Sequence, residues 1–319
     1  MTPSALVLTA GLGTRLRPLT YLRAKAAVPV NGETLARRVV RWLVAGGFDD
    51  LVLNLHHHPE TITASVGDGS DLGARVRYSW EQPVLGSAGG PRHALPLLAD
   101  RPGPFLIVNG DTLTDVDLEA MARRHRDAGA LVTMALIPNP SPDKYGGVTV
   151  DARGWVTGFT RAGQARRSHH FVGIQFADPD VFAALPDGVP AESVNALYPR
   201  LIEARPSSIA AFVCDARFQD IGTPADYLRT STGLARLEGD QRVSRRGVEI
   251  APTARLRDTA VWDDVTVGAH ATLVECVIGD GVRIPDGSHY ERCAIVPAAG
   301  REPRPTERID GGLLLAPLD

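Results

Sequence analysis

Short apolar runs alternate with longer amphipathic ones through the first half of the chain. Ala5–Leu8 is apolar throughout and reads as a strand. Leu35–Val44 reads as a helix, closed by Gly46-Gly47. Leu51–Leu55 and Val76–Ser79 read as strands and Pro91–Leu98 as a helix. Phe105–Val108 is a strand running into Asn109-Gly110-Asp111, Leu118–Ala128 a helix, and Leu131–Ile137 a strand. That order is the pattern of βαβ units. It predicts an α/β fold: a Rossmann-like mixed, mainly parallel sheet with helices on both faces. Ligands of such sheets sit beyond the carboxyl ends of the strands. Gly11-Leu12-Gly13 and Asn109-Gly110-Asp111 both follow strands, so they are expected to face one crevice.

The pattern changes after Leu237–Gly247, a stretch rich in Glu, Arg, Gly and Ser that reads as a linker. Beyond it apolar residues recur in steps of six: Ile250 and Leu256, then Val261, Val267 and Leu273, then Ile278, Ile284 and Tyr290. The groups are joined by steps of five. Three hexads make one triangular turn, so the pattern predicts a short left-handed β-helix stub of two or three coils. The expected domains are residues 1–236, the β-helix stub over 248–297, and a tail over 298–319. Rich in Pro, Arg and Glu, the tail reads as irregular or loosely docked, with Leu313-Leu314-Leu315 packing on a domain surface.

Composition narrows the function classes. The 319 residues are 44% hydrophobic and 22% charged, ordinary for a globular protein. A net charge of −3 argues against a nucleic-acid binder, so a charged substrate must be held by local cations. The three cysteines, Cys214, Cys276 and Cys293, form no Cys-x-x-Cys and fit a reduced compartment. No signal peptide or membrane-spanning run is read, which makes the expected location cytoplasmic, with no membrane partner.

The richest chemistry is N-terminal. Ala10-Gly11-Leu12-Gly13-Thr14-Arg15-Leu16-Arg17-Pro18-Leu19-Thr20 follows the first strand, with Lys25 and Pro29-Val30 beyond. Glycines let backbone N–H groups approach an anion, and Arg15 and Lys25 add charge. A dinucleotide fingerprint would need glycine where Leu16 stands, and no Gly-Lys-Ser/Thr closes a P-loop. The run as a whole resembles the signature of the sugar-1-phosphate nucleotidylyltransferases, which make nucleotide-sugars and release pyrophosphate. The resemblance covers roughly Ala5 to Leu228.

It implies an NTP and a sugar 1-phosphate as substrates. The Gly11, Leu12 and Gly13 amides and Arg15 would hold the β and γ phosphates, Ala10 and Thr14 would also bind the nucleotide, and Lys25 would bridge the α-phosphate and the sugar phosphate. Asp111, and Asp220 in Phe218-Gln219-Asp220-Ile221-Gly222-Thr223-Pro224, would be the pair of carboxylates for Mg²⁺. Trp80-Glu81-Gln82-Pro83-Val84-Leu85-Gly86-Ser87-Ala88-Gly89-Gly90 matches the segment that cradles the nucleobase. There Gly86, Ser87 and the Glu81 carboxylate are the implied contacts, and a carboxylate suits guanine N1–H and N2–H₂. Leu-Gly-Ser-Ala-Gly is similar to the mannose-1-phosphate guanylyltransferases. Gly67-Asp68-Gly69-Ser70 with Val76-Arg77-Tyr78-Ser79 is similar to the N-acetylmuramate-1-phosphate uridylyltransferases. GTP with mannose 1-phosphate is the favoured pair, and UTP the alternative.

On the sugar side the resemblance implies Tyr145, Gly147, Arg161 and Gly173. The chain departs from the family at Ala24, where proline normally precedes the lysine, and at Thr160-Arg161-Ala162, where Glu-Lys-Pro is usual. Arg166-Arg167 and His169-His170 either line the sugar pocket or form a solvated face. His56-His57-His58 reads as a loop, because adjacent histidines point apart and make a poor ligand set. A sugar phosphate is largely ionised near neutrality, so the reaction needs no general base. The missing Glu-Lys-Pro and Ala24 leave a silent, nucleotide-sugar-binding regulatory homologue as a competing reading. An acyltransferase would need many more coils. The β-helix stub is expected to serve as an oligomer contact or a lid.

Overall fold

The computed structural model describes residues 3–164 and 168–318. Arg166-Arg167 therefore lies outside the described residues. In chain order the elements are β1 (Ala5–Leu8), β2 (Pro29–Val30), β3 (Glu33–Thr34), α1 (Leu35–Ala45), β4 (Asp50–Leu55), α2 (Pro59–Val66), β5 (Arg75–Trp80), α3 (Gly86–Leu98), β6 (Phe105–Asn109) and β7 (Thr112–Thr114). They continue with α4 (Leu118–Ala128), β8 (Val132–Pro138), β9 (Gly147–Val150), β10 (Val156–Thr160), β11 (His169–Ala177), α5 (Asp180–Ala183), α6 (Tyr198–Ala204), β12 (Ile209–Val213) and α7 (Pro224–Glu238).

Two compact units emerge, and their boundary differs from the sequence expectation. The first is built from the chain up to Gly11 and from Ala36 to Gln219; the second from Leu12–Leu35 and from Asp220 onwards. The glycine-arginine-lysine loop thus groups with the C-terminal residues instead of with a 1–236 domain.

In the first unit, nine strands form a mixed sheet ordered β10-β9-β11-β6-β1-β4-β5, with β8 on β11 and β12 on β8. The run β6-β1-β4-β5 is parallel, with Val7 opposite Val108, Leu6 opposite Val52, and Leu53 opposite Tyr78. Every residue of β4 is buried, which is why parallel strands read as near-continuous apolar runs. Antiparallel β11 joins β6 to β8, and its register shifts between Phe171 and Gln175 around Gly173 (φ +81°). The core gathers Leu6, Val52, Ile107, Met134, Phe105 and Phe182. Each such side chain contributes about 1.5–3 kcal/mol on burial. Helix α4 is closed at both ends as its sequence dictates: Asp117 accepts from Ala120 N at 2.8 Å, and Gly129 (φ +57°) donates to Arg126 O.

The hexads of the second unit form a parallel β-helix. Glu249 pairs with Thr266 and Thr266 with Arg283; Arg255, Thr272 and His289 form a second column, and Ala260, Val277 and Ala294 a third. Each coil is therefore 17 residues long, two steps of six and one of five. Left-handed backbone recurs on the same beat, at Asp258, Asp264, His270, Glu275, Gly281, Gly287 and Arg292. The corners demand that conformation of whatever residue stands there. Val261, Val267, Leu273, Ile278 and Ile284 fill the interior.

The tail is not irregular. Leu313–Pro317 runs antiparallel to Cys293–Pro297, and Arg308–Asp310 pairs outside it. Leu313 and Leu315 are buried in the β-helix core rather than lying on a surface. Closing the last coil with a hairpin covers a sheet edge that would otherwise stay open.

Candidate functional site

At the carboxyl edge of the parallel strands in the first unit, Gly110 N donates to Leu8 O at 3.0 Å. A Cβ on Gly110 would stand 2.7 Å from Thr9 Cγ2, so only glycine lets the two strand ends approach this closely. Asp111, half-buried, therefore lies beside the Thr9-Ala10-Gly11 end of β1. Gly11 is exposed and a Cβ there would meet nothing within 4 Å, so no protein atom requires glycine at that position.

The base-side residues need correction. Glu81 is only 4% exposed, and its carboxylate accepts from Asn54 Nδ2 at 2.7 Å and Leu85 N at 2.8 Å. Asn54 in turn accepts from Thr9 N at 2.5 Å and Ala10 N at 3.2 Å, while Thr9 Oγ1 donates to Asn54 O. The carboxylate read as a nucleobase acceptor thus organises the end of β1 through Asn54. Its neighbour Gln82 is exposed. Gly86 and Ser87 are likewise engaged by protein. A Cβ on Gly86 (φ +76°) would stand 2.7 Å from Glu192 Oε1. Ser87 Oγ donates to Glu192 Oε2 at 2.7 Å and accepts from Ser193 N at 2.9 Å. These two residues fasten the start of α3 to the strand of chain before the π-helix Ser193–Leu197 instead of opening a cradle. Sequence reasoning missed Asn54; an asparagine inside the otherwise apolar strand Leu51–Leu55 was the available signal.

Two of the sugar-side residues, Gly147 and Arg161, line a cavity of about 660 Å³ in the first unit. Gly147, Arg161, His170, Phe171 and Asn195 line it. Gly147 is packed against Ser168, whose Oγ would stand 2.0 Å from an added Cβ. Tyr145 flanks the cavity, its ring 4.5 Å from that of His170, and Phe218 closes on both. Burial pushes His170 down to about 4, against a weaker opposing effect of Gly146, so its ring is neutral near pH 7. Gly173 does not line this cavity. It packs on Asn109, whose Nδ2 would be 2.5 Å from a Cβ, and so shapes the turn leading into Asp111. Neutral His170, Asn195, Arg161 and Thr160 are the polar side chains that line the cavity.

Of the phosphate-side residues, Leu12, Gly13, Thr14, Arg15, Lys25 and Asp220 lie in the second unit. Gly13 takes φ +60° ahead of a 3-10 turn, Thr14–Leu16, and its carbonyl accepts from Thr20 Oγ1 at 2.9 Å. A Cβ on Gly13 would stand 2.7 Å from Thr20 and 3.2 Å from Lys25 Cβ. Leu12 and Thr14 are exposed on either side. Lys25 Nζ lies 3.8 Å from Asp220 Oδ1, and Arg15 Nη1 lies 4.0 Å from Asp220 Oδ2. Lys25 and Asp220 are largely enclosed, with side chains 13% and 12% exposed, while Arg15 is 64% exposed and reaches outward. Gly222 leaves room for both arginine and carboxylate: its Cβ would be 3.0 Å from each. One enclosed carboxylate between two cations is an arrangement that handles charge, not one that stores hydrophobic energy. Asp111 belongs to the first unit and Asp220 to the second.

No group of three or more His, Cys, Asp or Glu side chains that could hold a metal exists among the described residues. His56–His58 form the loop before α2, His56 Nδ1 meeting Glu81 O at 2.9 Å. No helix among the described residues is long and apolar enough to cross a membrane.

Comparison with known proteins identifies the family. The family model described as nucleotidyl transferase matches residues 4–236. A mannose-1-phosphate guanylyltransferase of Mycobacterium tuberculosis is 29% identical over 299 residues, which is 90% of this chain and 83% of the relative. A UTP–glucose-1-phosphate uridylyltransferase of Synechocystis is 28% identical over 301 residues, 89% of this chain and 75% of the relative. Among solved structures, HddC from Yersinia pseudotuberculosis superposes with a TM-score of 0.63 at 20% identity, covering 73% of this chain and all of that one.

Proposed function

Since the chain belongs to the nucleotidyl transferase family as a sugar-1-phosphate nucleotidylyltransferase, we propose that it joins GTP and mannose 1-phosphate, giving a nucleoside-diphosphate sugar and pyrophosphate. The observation that carries the reading is the set Gly13, Arg15, Lys25 and Asp220, in which two cations share one carboxylate beside a left-handed glycine turn. The sugar phosphate oxygen attacks the α-phosphorus, and pyrophosphate leaves in line. Its second pKa is about 6, so the nucleophile is already largely ionised. Acceleration then comes from placement and charge neutralisation. Exposed Arg15, with the Gly11-Leu12-Gly13 amides and Thr14, holds the β and γ phosphates. Enclosed Lys25 spans the α-phosphate and the incoming phosphate. Arg161, His170 and Asn195 meet the sugar.

The donors present suit Mg²⁺. Asp111 and Asp220 each offer the hard anionic oxygen that Mg²⁺ prefers, and such an ion takes one or two carboxylates and completes its shell with phosphate and water. When bound it neutralises charge on the α-phosphate. Asp220 meanwhile keeps Lys25 directed at the site.

The choice of mannose and guanine leans on Leu85-Gly86-Ser87-Ala88-Gly89 and on relatives named for that reaction. A second reading takes UTP. It draws on exposed Gln82, whose amide both donates and accepts and so suits a pyrimidine imide edge. Four NTPs assayed against mannose, glucose and N-acetylated sugar 1-phosphates decide between them. GTP with mannose 1-phosphate is expected to give the highest kcat/KM. A preference for UTP with any sugar supports the second reading and overturns the first.

A further inference from the structure

We propose that Arg23 is a positioning residue for phosphate transfer, tying the loop that carries Arg15 and Lys25 to two stacked turns of the β-helix. The inference rests on the role given to Lys25 above.

The loop has little regular structure to hold its own shape. It consists of three 3-10 turns of three residues each and the two-residue strands β2 and β3. Its geometry must be imposed from outside, and Arg23 does so from two residues before Lys25. Its Nε donates to Asp280 Oδ2 at 2.6 Å, and Nη2 donates to Asp280 Oδ1 at 2.6 Å and Asp263 Oδ2 at 2.7 Å. Asp263 and Asp280 are 17 residues apart, the length of one coil, so they occupy equivalent places on successive coils. Both are themselves fixed: Asp263 N donates to Asp280 Oδ1 at 3.0 Å, and Ser244 Oγ donates to Asp263 Oδ1 at 2.5 Å. The guanidinium also lies 5.4 Å from the centre of the Trp262 ring.

Trp262 then reaches the other side of Lys25. Its Nε1 donates to Tyr227 Oη at 2.8 Å, and Tyr227 Oη donates to Pro29 O at 2.5 Å. Lys25 is thus bracketed by two attachments to one platform. An exposed ion pair would contribute little stability and no geometry. Here a planar fork meets two oxygens of one carboxylate and a third of another, with the arginine side chain 17% exposed. That arrangement sets direction as well as charge.

A misplacement of about 1 Å can cost on the order of 100-fold in rate. The test compares Arg23→Ala, Lys25→Gln and the double variant in the full chain, with melting curves run alongside. Arg23→Ala is expected to lower kcat roughly 10- to 100-fold with the KM for NTP within about threefold. The double variant should be no more than about twofold slower than Lys25→Gln, because both changes remove one function. Should Arg23→Ala not fold, Asp280→Asn takes its place in the same cycle. An unchanged kcat for the Arg23 or Asp280 variant, or losses that multiply in the double variant, overturns the proposal alone. Full turnover by Lys25→Gln instead overturns the role of Lys25 itself, and this inference with it.

Discussion

Asp111→Asn is expected to lower turnover by at least about 1000-fold, on the order of 4 kcal/mol of lost transition-state stabilisation, while the melting temperature stays within about 2 °C. Asparagine has the shape of aspartate but no charge, so it fails a hard divalent cation that needs an anionic oxygen. The fold has little reason to respond. Asp111 is half-buried at the end of β6, and the strand crossing there is held by Gly110 N on Leu8 O, a backbone bond that the substitution leaves in place. Gly173 against Asn109 holds the turn from the other side. Steady-state rates and a melting curve on the same sample check both halves. Wild-type turnover by the variant would contradict the carboxylate role.

The second large effect is on stability. Asn54→Ala removes the acceptor of Thr9 N and Ala10 N and the donor to Glu81 Oε1. All four residues are buried, at 3–4% exposure, so water does not replace what is lost. Stranding buried donors costs about 1–3 kcal/mol each and more for a charged partner. A total of about 3–5 kcal/mol is expected, since the bonds share one side chain and do not simply add. At about 2–4 °C per kcal/mol this lowers the melting temperature by roughly 6–20 °C. Because Ala10 leads straight into Gly11, the KM for NTP should rise in the same variant. A melting temperature within about 2 °C of wild type would show that the Asn54–Glu81 pair is not what holds the end of β1.

The parts of the molecule legible in its sequence are those written in local periodicity. Ala5–Leu8 and Leu51–Leu55 are continuous apolar runs because parallel strands are covered on both faces. The hexads were readable because each step of six or five ends at a corner of the coil. What escaped depends on distant partners. Residues 12–35 group with partners far along the chain, among them Asp263 and Asp280, 240 and 257 positions from Arg23. The tail hairpin forms because Cys293–Pro297 offers an edge, which no feature of Leu313–Leu315 announces. Glu81 was misread for a related reason. Its motif places a carboxylate near a base, but whether the oxygens are already taken depends on Asn54 and the Leu85 amide. Arg15, Lys25 and Asp220 were singled out by the resemblance of their flanking motifs to the family signature, and the fold sets both cations within 4.0 Å of one carboxylate.

The central claim is that this charge arrangement drives displacement of pyrophosphate by a sugar phosphate. The direct measurement incubates the wild-type chain with Mg²⁺, GTP and mannose 1-phosphate, or the best pair from the substrate panel, and quantifies pyrophosphate and nucleotide-sugar together. The account predicts equal amounts of the two, and neither when the sugar phosphate is omitted. Binding of nucleotide-sugar without turnover for any pair, or NTP cleavage that ignores the sugar phosphate, would contradict it.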